Sequence, residues 1–340
     1  MKIAVYGASG YVGHLAAREL VRRGVDMVLI GRNLERLRET EAAIAPKSVE
    51  LKLAALDDPR ALTEALHGCD SVISCVAPFV FWGEPVIRAA IDAGCHYVDT
   101  SGEPVFIKKV FEDFSSVAEQ AGVAIVQAAT DDCLPSNLLA QLIAKRAGPL
   151  ERLTVVHGLF DTEITRGTLR SYIEISKGKP YVFKDGEWLA STSEALGAID
   201  LPGEDGPTAI WRSAGPPVIS IPRHVETRYL ELATNFAPQD NPTALTPEMI
   251  EAVPVGPSEE VRLRSRLSVV AIGLAEDGSE VRAHLTAPDL YNLTAVVAVE
   301  AAVRLAGGDT PSGVLAPAQA FDAADFLDAL APWGVKWAVQ

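Results

Sequence analysis

A glycine-rich turn near the start of the sequence constrains the fold of this chain more than any other feature. The apolar run Lys2–Gly7 predicts a β-strand, and the helical pattern Tyr11–Arg23 follows it almost at once. The turn between them reads Gly7-Ala8-Ser9-Gly10-Tyr11-Val12-Gly13, with the spacing GxxGxxG. Glycines placed in this way permit a tight turn, a close approach of the backbone to a pyrophosphate, and close packing of the helix on the strand.

The same turn predicts a dinucleotide site. The first turn of the helix offers amide N–H groups and a positive dipole to phosphate groups. The alternative is a glycine turn that binds no ligand, and the position of the motif between a strand and a helix argues against it. The predicted cofactor contacts in this segment are Gly7, Ser9, Gly10, Tyr11, Val12 and Gly13.

Strand and helix patterns alternate after this turn as far as about residue 130. The further strands are predicted at Met27–Ile30, Val49–Leu56, Ser71–Val76, His96–Val98 and Val123–Gln127. The helices between them are predicted at Leu34–Ile44, Pro59–Leu66, Gly83–Ala93 and Phe111–Ala121. Near-continuous apolar strands that alternate with helices indicate a parallel sheet with helices on both faces. We therefore expect an α/β protein with a Rossmann domain, a doubly wound parallel sheet, over residues 1–134.

A second domain is expected, because 340 residues are enough for about two domains. The apolar runs Leu263–Ala275 and Ser279–Leu285 are joined by Asp277-Gly278, a hairpin turn signal. Residues 202–217 are rich in glycine and proline and predict a loop. We expect an α+β domain with a mostly antiparallel sheet over residues 135–290, for substrate binding and dimerisation, and a C-terminal segment, 291–340, that completes the Rossmann domain. The run Val269–Leu274 could support pairing into a homodimer.

The end of the second strand bears on the choice of cofactor. An acidic residue there would hold the adenosine ribose hydroxyls of NAD, but this sequence has Arg32 and Asn33, with Arg36 one helical turn later. The guanidinium of Arg32 can pair with a 2′-phosphate and stack on adenine. The sequence therefore predicts NADP(H) rather than NAD. Arg36 could also lie on a solvated helix face.

Two more cofactor contacts are predicted from the order of the strands. Asp57 follows the third strand and could reach the adenine amino group, or it could cap the helix that starts near Pro59. The segment Cys75-Val76-Ala77-Pro78 ends the fourth strand and should lie along the nicotinamide ribose. We expect Cys75 to be a packing residue rather than a nucleophile.

Charge and motifs exclude several other classes of function. Asp and Glu number 45 against 30 Lys and Arg, a formal net charge of -15, which disfavours nucleic acids and membrane surfaces as partners and leaves a small-molecule substrate. No tyrosine has a lysine four residues later, which excludes the Tyr–Lys mechanism of short-chain dehydrogenases. No GxSxG elbow occurs, so the nucleophile motif of α/β-hydrolases is missing as well. The six histidines lack metal-site spacing, so no metal is expected. No leader pattern precedes the first strand and the four cysteines are scattered, which predicts a cytoplasmic protein.

Several segments together resemble one family. Gly7–Gly13 with Gly31-Arg32-Asn33 is the first, and Ala93-Gly94-Cys95-His96-Tyr97-Val98-Asp99-Thr100-Ser101-Gly102-Glu103 is similar to a family turn "AGxxYVDxTGE". Asp132-Cys133-Leu134-Pro135-Ser136-Asn137 is similar to "FDxxPSD", and the tail Gly313–Phe321 is similar to the ending "GVLTPAxAF" of enoyl-reductase-like members. This is a resemblance to the saccharopine dehydrogenase-like NADP-binding family, which includes saccharopine reductases and trans-acting enoyl reductases. Asp131 and Asn137 depart from it, where the family has an aromatic residue and an acid.

The resemblance implies hydride transfer from a nicotinamide to a C=N or a C=C bond. We favour an imine or iminium formed from an amino acid and a carbonyl compound, with enoyl reduction as the alternative. A rival from another class is a redox-sensing regulator that binds NADP without turnover. Asp132 is the first candidate acid, because its segment resembles the carboxylate-bearing loop of saccharopine reductases, although it could instead cap the next helix. His157 is the second candidate acid, or else a packed histidine.

Substrate contacts are expected at two places beside a cleft between the domains. Thr100, Ser101 and Glu103 follow the fifth strand, at the sheet edge where open α/β folds bind ligands. Arg166 and Thr168 start a predicted helix, so this segment offers a guanidinium and backbone N–H groups to an anionic substrate.

Overall fold

Two separate β-sheets organise the chain, one in each of two structural units. The computed structural model describes residues 1–46, 48–238 and 246–340. Unit 1 comprises Met1–Ser101, Val105–Thr130 and Thr294–Leu315. Unit 2 comprises Gly102–Pro104, Asp131–Leu293 and Ala316–Gln340.

The sheet of unit 1 is parallel and doubly wound. Its strands are β1 (Lys2–Tyr6), β2 (Asp26–Gly31), β3 (Glu50–Leu53), β4 (Ser71–Ser74), β5 (His96–Asp99), β6 (Ala124–Val126) and β15 (Gly313–Leu315). They lie in the order β15-β6-β5-β4-β1-β2-β3, and each neighbouring pair is parallel. The order reverses at β1 and β4, which is the topological switch point where such sheets bind dinucleotides. The predicted α/β fold with a Rossmann sheet is confirmed, and β15 adds a short strand that the sequence patterns did not indicate.

Helices connect and cover these strands. They are α1 (Tyr11–Arg23), α2 (Leu34–Ile44), α3 (Pro59–Leu66), α4 (Phe79–Ala93), α5 (Pro104–Ala121) and α11 (Leu290–Ala306). Two of these helices start earlier than predicted: α4 begins at Phe79 rather than Gly83, and α5 begins at Pro104 rather than Phe111. The first turn of α4 carries exposed Phe81 and Trp82 beside buried Phe79, so its apolar pattern does not alternate as an amphipathic helix should.

The sheet of unit 2 is mixed and mostly antiparallel. Its strands are β7 (Leu150–Phe160), β8 (Tyr181–Lys184), β9 (Glu187–Ala190), β10 (Ala195–Asp200), β11 (Pro207–Arg212), β12 (Tyr229–Thr234), β13 (Arg266–Ala275), β14 (Glu280–Pro288) and β16 (Lys336–Val339). The main order is β10-β11-β12-β7-β13-β14-β16, and only β12 with β7 is parallel among these pairs in the described ranges. The predicted β13–β14 hairpin is confirmed.

Part of the predicted loop over 202–217 is a strand. β11 lies inside this stretch and pairs with β10 on one side and β12 on the other. The proline that argued for a loop, Pro207, is the first residue of the strand, where a missing N–H donor is tolerated.

Helix α6 (Cys133–Ala147) is the central helix of unit 2. It packs against β13 and β14, and a Cβ atom added to Gly273 would lie 2.5 Å from Ile143 Cγ2, so helix and sheet approach closely. The other helices are α7 (Arg166–Ser176), α8 (Pro217–Ser220), α9 (Pro247–Ala252), α10 (Glu259–Arg264), α12 (Pro317–Ala320) and α13 (Ala323–Ala329).

The C-terminal segment is divided between the units. We expected residues 291–340 to complete the Rossmann domain, but only Thr294–Leu315 belongs to unit 1. Ala316–Gln340 belongs to unit 2, since its strand β16 pairs with β14. A pairing between strands so far apart in the sequence leaves no local pattern.

The buried imidazole of His224 predicts how acid affects unit 2. Burial lowers the pKa of His224 to about 4, and its ring nitrogens lie 2.8 Å from Gln141 Oε1 and 3.1 Å from Asn137 Oδ1 on α6. The unfolded chain therefore binds a proton here between about pH 6.5 and 4 that the folded chain does not, so folding loses stability as the pH falls through this window. As the pH falls from about 6.5 to 4, we expect the free energy of unfolding of the wild type to decrease by up to about 3 kcal/mol more than that of His224→Gln. Urea unfolding across this pH range measures the difference.

The control for this experiment is His67→Gln, at an exposed position after α3. Its unfolding free energy should change with pH in parallel with that of the wild type. A His224→Gln variant that also runs parallel to the wild type would contradict the prediction.

Candidate functional site

The turn between β1 and α1 is a cradle that only glycine can form. Gly7 has φ +80, in the left-handed region that favours glycine. A Cβ atom on Gly13 would lie 2.3 Å from the carbonyl oxygen of Gly7, closer than atoms can approach. The loop is held by Gly7 N–H, which donates to Ile30 O at 3.0 Å, and by Gly10 N–H, which donates to Gly7 O at 2.9 Å. The segment that contains Ser9, Tyr11 and Val12 is therefore tightly fixed.

Helix α1 begins in a way that suits an anionic ligand. Its N-cap is Gly10, which has no side chain to occupy the amide groups of the first turn, and that turn contains no acidic residue. Basic Arg22 and Arg23 lie at the opposite end, where they stabilise the helix dipole. These residues fit the pyrophosphate of a dinucleotide.

Arg36 and Asn33 support the glycine turn from α2. The Arg36 Nη2 atom donates to the carbonyl oxygen of Ser9 at 3.1 Å, so its guanidinium lies against the loop although the residue is exposed. Asn33 caps α2, because its Oδ1 accepts from Arg36 N–H at 3.1 Å. Arg32 is exposed directly after β2, which leaves its guanidinium accessible to a phosphate.

Asp57 is not the cap of α3. That role belongs to Asp58, whose Oδ1 accepts from Ala61 N–H at 2.9 Å. Burial raises the pKa of Tyr6 to about 12, while nearby Arg32 lowers it and nearby Asp57 raises it. The charged groups of Arg32 and Asp57 therefore lie near the Tyr6 hydroxyl, and the structure brings these two predicted adenosine contacts to one place.

The segment from Cys75 to Pro78 lies next to the glycine turn. A Cβ atom on Gly7 would be 3.1 Å from Cys75 O and 3.2 Å from Val76 Cγ1. Burial raises the pKa of the Cys75 thiol to about 12, so it stays protonated and is a poor nucleophile. Ala77 and Pro78 lead into α4, with Pro78 as its N-cap.

The polar residues after β5 are bonded within the chain. Ser101 is fully buried and its hydroxyl donates to Asp99 Oδ1 at 2.6 Å. Asp99 also accepts from Ala128 N–H at 2.9 Å and from the Tyr97 hydroxyl at 3.0 Å, and burial raises its pKa to about 6. The backbone N–H of Thr100 donates to the carbonyl oxygen of Ser74 at 3.3 Å. These contacts hold the loop after β5 against the loop after β6.

Glu103 has different partners, in unit 2. It is 1% exposed, and its carboxylate accepts from the Ser171 hydroxyl of α7 at 2.6 Å and from Gly102 N–H at 3.0 Å. Glu103 is therefore held by residues of unit 2.

The start of α7 is also bonded internally. Thr165 caps the helix, accepting from Thr168 N–H at 3.0 Å, and Thr165 N–H donates to the Tyr291 hydroxyl at 2.8 Å. Arg166 Nη1 lies 2.8 Å from Glu251 Oε2, and its Nε donates to a backbone carbonyl of the same segment. The charge of Arg166 is thus balanced by a carboxylate of the chain itself.

The two predicted acids meet in unit 2. Asp132 occupies the N-cap position of α6, but its side chain makes no capping bond. Instead, Asp132 Oδ2 lies 3.1 Å from His157 Nδ1 on β7. His157 Nε2 lies 2.7 Å from the hydroxyl of Ser136, and that hydroxyl donates to the carbonyl oxygen of Asp132 at 2.6 Å. We call these three residues the acid cluster.

The three residues of the acid cluster differ in how far they are exposed to solvent. The side chain of Asp132 is 24% exposed and that of His157 is 6% exposed, while Ser136 is fully buried. In a serine hydrolase the order is reversed, because the serine faces the substrate and the carboxylate is buried. Ser136 is therefore no nucleophile, and the carboxyl of Asp132 is the accessible end of the cluster.

Ser136 is the functional residue that sequence reasoning missed. It lies four residues after Asp132 at the start of a helix, which puts its hydroxyl near the Asp132 carbonyl. That spacing was visible in the sequence, but the position of His157 beside it depends on how α6 packs on the sheet.

The described ranges contain no group of three or more His, Cys, Asp or Glu side chains that could hold a metal ion. Within the same ranges, every helix is too short or too polar to cross a membrane. All four cysteines are free thiols.

Comparison with known proteins gives a match in the first unit. Residues 3–126 match the family model of the saccharopine dehydrogenase NADP binding domain. This match confirms the prediction of NADP(H) as the cofactor, and the glycine cradle fits it.

Curated relatives match about half of the chain or less. A lipid droplet localized protein of Caenorhabditis elegans is 33% identical over 42% of this chain and 36% of its own length. A saccharopine dehydrogenase-like oxidoreductase of Homo sapiens is 30% identical over 40% of this chain and 35% of its own length. A Mycobacterium tuberculosis protein whose name assigns it as a trans-acting enoyl reductase is 30% identical over 51% of this chain and 43% of its own length. The chain thus spans less than half the length of these relatives.

A solved structure shares the whole fold. It is saccharopine dehydrogenase (L-Glu forming) from Saccharomyces cerevisiae, with a TM-score of 0.64. The match covers 100% of this chain and 99% of that one at 12% sequence identity, so it shows the fold alone.

The exposed guanidinium of Arg32 predicts the selectivity between the two nicotinamide cofactors. We expect Arg32→Ala to weaken NADPH binding about 10- to 100-fold and to leave NADH binding nearly unchanged, because only NADPH has the 2′-phosphate that a charged hydrogen bond would hold. Fluorescence titration with both cofactors measures this. Arg38→Ala, at an exposed position on the following helix α2, is the matched control and should change neither affinity. Equal losses for both cofactors in Arg32→Ala would show that Arg32 does not contact the 2′-phosphate.

The contact between Gly13 and Gly7 predicts a second effect. Gly13→Ala puts a methyl group 2.3 Å from the Gly7 carbonyl, so α1 or the loop must shift. We expect at least a 10-fold loss of affinity for both NADPH and NADH, because the pyrophosphate cradle is common to them. The same titration measures it, with Gly24→Asn as a control, because asparagine tolerates the left-handed φ of +69 at this position and the added Cβ would contact nothing. Undiminished binding in Gly13→Ala would contradict the assignment of the cradle.

Proposed function

We propose that this chain, which belongs to the saccharopine dehydrogenase-like family through its NADP-binding domain, is an NADPH-dependent reductase of a C=N bond. Its substrate is then an imine or iminium formed from an amino acid and a carbonyl compound. The observation that carries the proposal is the pair of Asp132 and His157, 3.1 Å apart. A reduction of this kind needs a proton as well as a hydride, and this pair can hold one.

The two units have distinct tasks in this proposal. In unit 1, the glycine cradle and the first turn of α1 would hold the pyrophosphate of NADPH, Arg32 would pair with its 2′-phosphate, and Asp57 and the Cys75–Pro78 segment would line the rest of the cofactor. The bound cofactor would supply a hydride from its nicotinamide ring. In unit 2, the carboxyl of Asp132 keeps the imine nitrogen protonated, which makes the imine carbon a hydride acceptor. His157 lies behind the carboxyl and shares its proton.

The other predicted residues have supporting roles in this scheme. Thr100, which is partly exposed, Thr168, which is exposed, and Arg166, whose side chain is 25% exposed, are proposed as substrate contacts. Arg166 would exchange Glu251 for a carboxylate of an amino-acid substrate. Ser101 and Glu103 are buried, so we propose that they hold the backbone of the site in place.

Enoyl reduction is the second candidate. It is favoured by the mycobacterial relative, whose match covers 51% of this chain. Reduction of a C=C bond next to a carbonyl requires hydrogen-bond donors for the developing oxyanion. The acid cluster presents a carboxyl group at its accessible end, which suits protonation of a nitrogen better.

Partners and location remain proposals as well. We propose a cytoplasmic reductase of a small molecule, with a homodimer formed through the second domain. A regulator that binds NADP without turnover would need the cradle and Arg32 but not the acid cluster.

Substitution of the proposed acid tests the function. We expect Asp132→Asn to slow NADPH oxidation at least about 100-fold with mixtures of amino acids and carbonyl compounds, because the amide cannot donate an acidic proton. NADPH affinity should stay within about twofold, since unit 1 is unchanged. The loss of NADPH absorbance measures the first quantity and fluorescence titration the second.

The control variant is Asp161→Asn, at an exposed position just after β7, which should keep full activity. Turnover of enoyl thioesters but of no imine would favour the second candidate. Tight NADPH binding with no turnover of imines, enoyl thioesters or ketones would favour the regulator.

A further inference from the structure

We propose that Ser136 fixes the tautomer of His157 and thereby makes the pair of Asp132 and His157 hold one exchangeable proton. This inference rests on the proposed function only for the use of that proton in a reduction. The retention of the proton itself follows from the contacts within the acid cluster.

The contacts of Ser136 and His157 determine where hydrogen atoms must lie in the cluster. The contact of the Ser136 hydroxyl with the Asp132 carbonyl, 2.6 Å, uses the hydroxyl hydrogen, because a carbonyl can only accept. The contact of Ser136 Oγ with His157 Nε2, 2.7 Å, then needs a hydrogen on Nε2. The contact of His157 Nδ1 with Asp132 Oδ2, 3.1 Å, needs another.

A neutral histidine and an ionised aspartate bring one hydrogen too few. With its hydrogen on Nε2, a neutral His157 turns the lone pair of Nδ1 toward the carboxylate of Asp132, and two acceptors face each other. One added proton between Nδ1 and Oδ2 removes this repulsion, whichever of the two atoms it is bonded to. The cluster then carries no net charge, which suits the burial of His157.

The alternative arrangement shows what Ser136 contributes. If the hydroxyl turned to Nε2, His157 could carry its hydrogen on Nδ1 and donate it to an ionised Asp132, as in a serine hydrolase. That arrangement gives up the 2.6 Å bond to the Asp132 carbonyl. Ser136 therefore favours the arrangement in which the pair keeps an extra proton.

The charged groups around the cluster also favour retention of the extra proton. Asp131 precedes Asp132 in the chain, and a neighbouring carboxylate raises the proton affinity of a site. Burial raises the pKa of Tyr291, which interacts with Asp131, and lowers the pKa of His224 to about 4, so both are neutral near pH 7. Cys133 is buried at the start of α6, and the strand neighbours of His157, Thr234 and Val269, do not titrate. The amide dipoles at the start of α6 oppose retention, by favouring a negative Asp132.

The exposure of Asp132 determines where the proton leaves the cluster. Asp132 is the accessible member of the cluster, so the proton passes from its carboxyl oxygen to the substrate atom that accepts it. The carboxylate that remains faces the Nδ1 lone pair until a proton from solvent restores the pair. In this scheme Asp132 is the catalytic residue, and His157 and Ser136 are positioning residues.

A titration that does not depend on turnover tests the inference. The full chain is labelled with isotopic histidine, the signal of His157 is assigned by its loss in His157→Gln, and its tautomer and titration are followed by NMR. In the wild type we expect the ring hydrogen on Nε2 and a shared proton on the pair. In Ser136→Ala we expect the hydrogen to move to Nδ1 and the titration midpoint to fall by about one pH unit, because a hydrogen bond to a charged group is lost.

Two further variants separate this role from a general structural one. Ser220→Ala removes a buried helical serine that donates to the carbonyl four residues earlier but contacts no histidine, and it should leave the midpoint unchanged. Ser136→Thr keeps the hydroxyl and should restore the wild-type tautomer. An unchanged tautomer and midpoint in Ser136→Ala would overturn the inference.

Activity then distinguishes this inference from the proposed function. If Asp132→Asn abolishes turnover, the alkaline limb of the pH–rate profile should also move to lower pH by about one unit in Ser136→Ala. The double variant with Ser136→Ala and His157→Gln should have the same alkaline limb as His157→Gln alone. If the NMR result is as expected but Asp132→Asn is fully active, the proposed function fails while the proton-holding cluster stands.

Discussion

The close approach of α1 to the carbonyl oxygen of Gly7 is the constraint on which the cofactor side of this protein depends. A side chain at Gly13 would collide with that carbonyl, so the helix can start where it does only because the position is glycine. The approach puts the amide groups of the first helical turn at the switch point of the sheet, next to β4. The cradle, the Arg36 bond to Ser9 and the segment after β4 all follow from this one contact.

Local patterns were sufficient to predict the alternating strands and helices of unit 1 as far as about residue 130. Apolar strands alternating with helices, and a glycine turn between the first two elements, are signals that lie within a few residues of each other. The patterns failed where long-range pairing decides the structure. β15 has three residues and becomes a strand because it lies beside β6, and β16 joins unit 2 because it pairs with β14. Likewise, Phe81 and Trp82 are apolar but exposed, which obscured the true start of α4.

The candidate site was predictable in its residue types but not in its connections. Asp132 and His157 were identified separately as acids, and nothing in the sequence joins them, since they lie on a helix and on a strand of a sheet. Their 3.1 Å contact depends on the packing of α6, and so does the part played by Ser136. Thr100, Ser101 and Glu103 show the opposite case. They are neighbours in the sequence, yet the structure gives Glu103 partners of its own on α7.

The buried carboxyl of Asp99 has a consequence for the behaviour of unit 1 in weak acid. Its pKa is raised to about 6, so between about pH 6 and 4 the folded unit binds a proton that the unfolded chain does not, and acidification favours folding. The imidazole of His224 acts with the opposite sign in unit 2 over almost the same interval. In mild acid, Asp99 therefore adds to the stability of the cofactor-binding unit while His224 takes stability from the other unit.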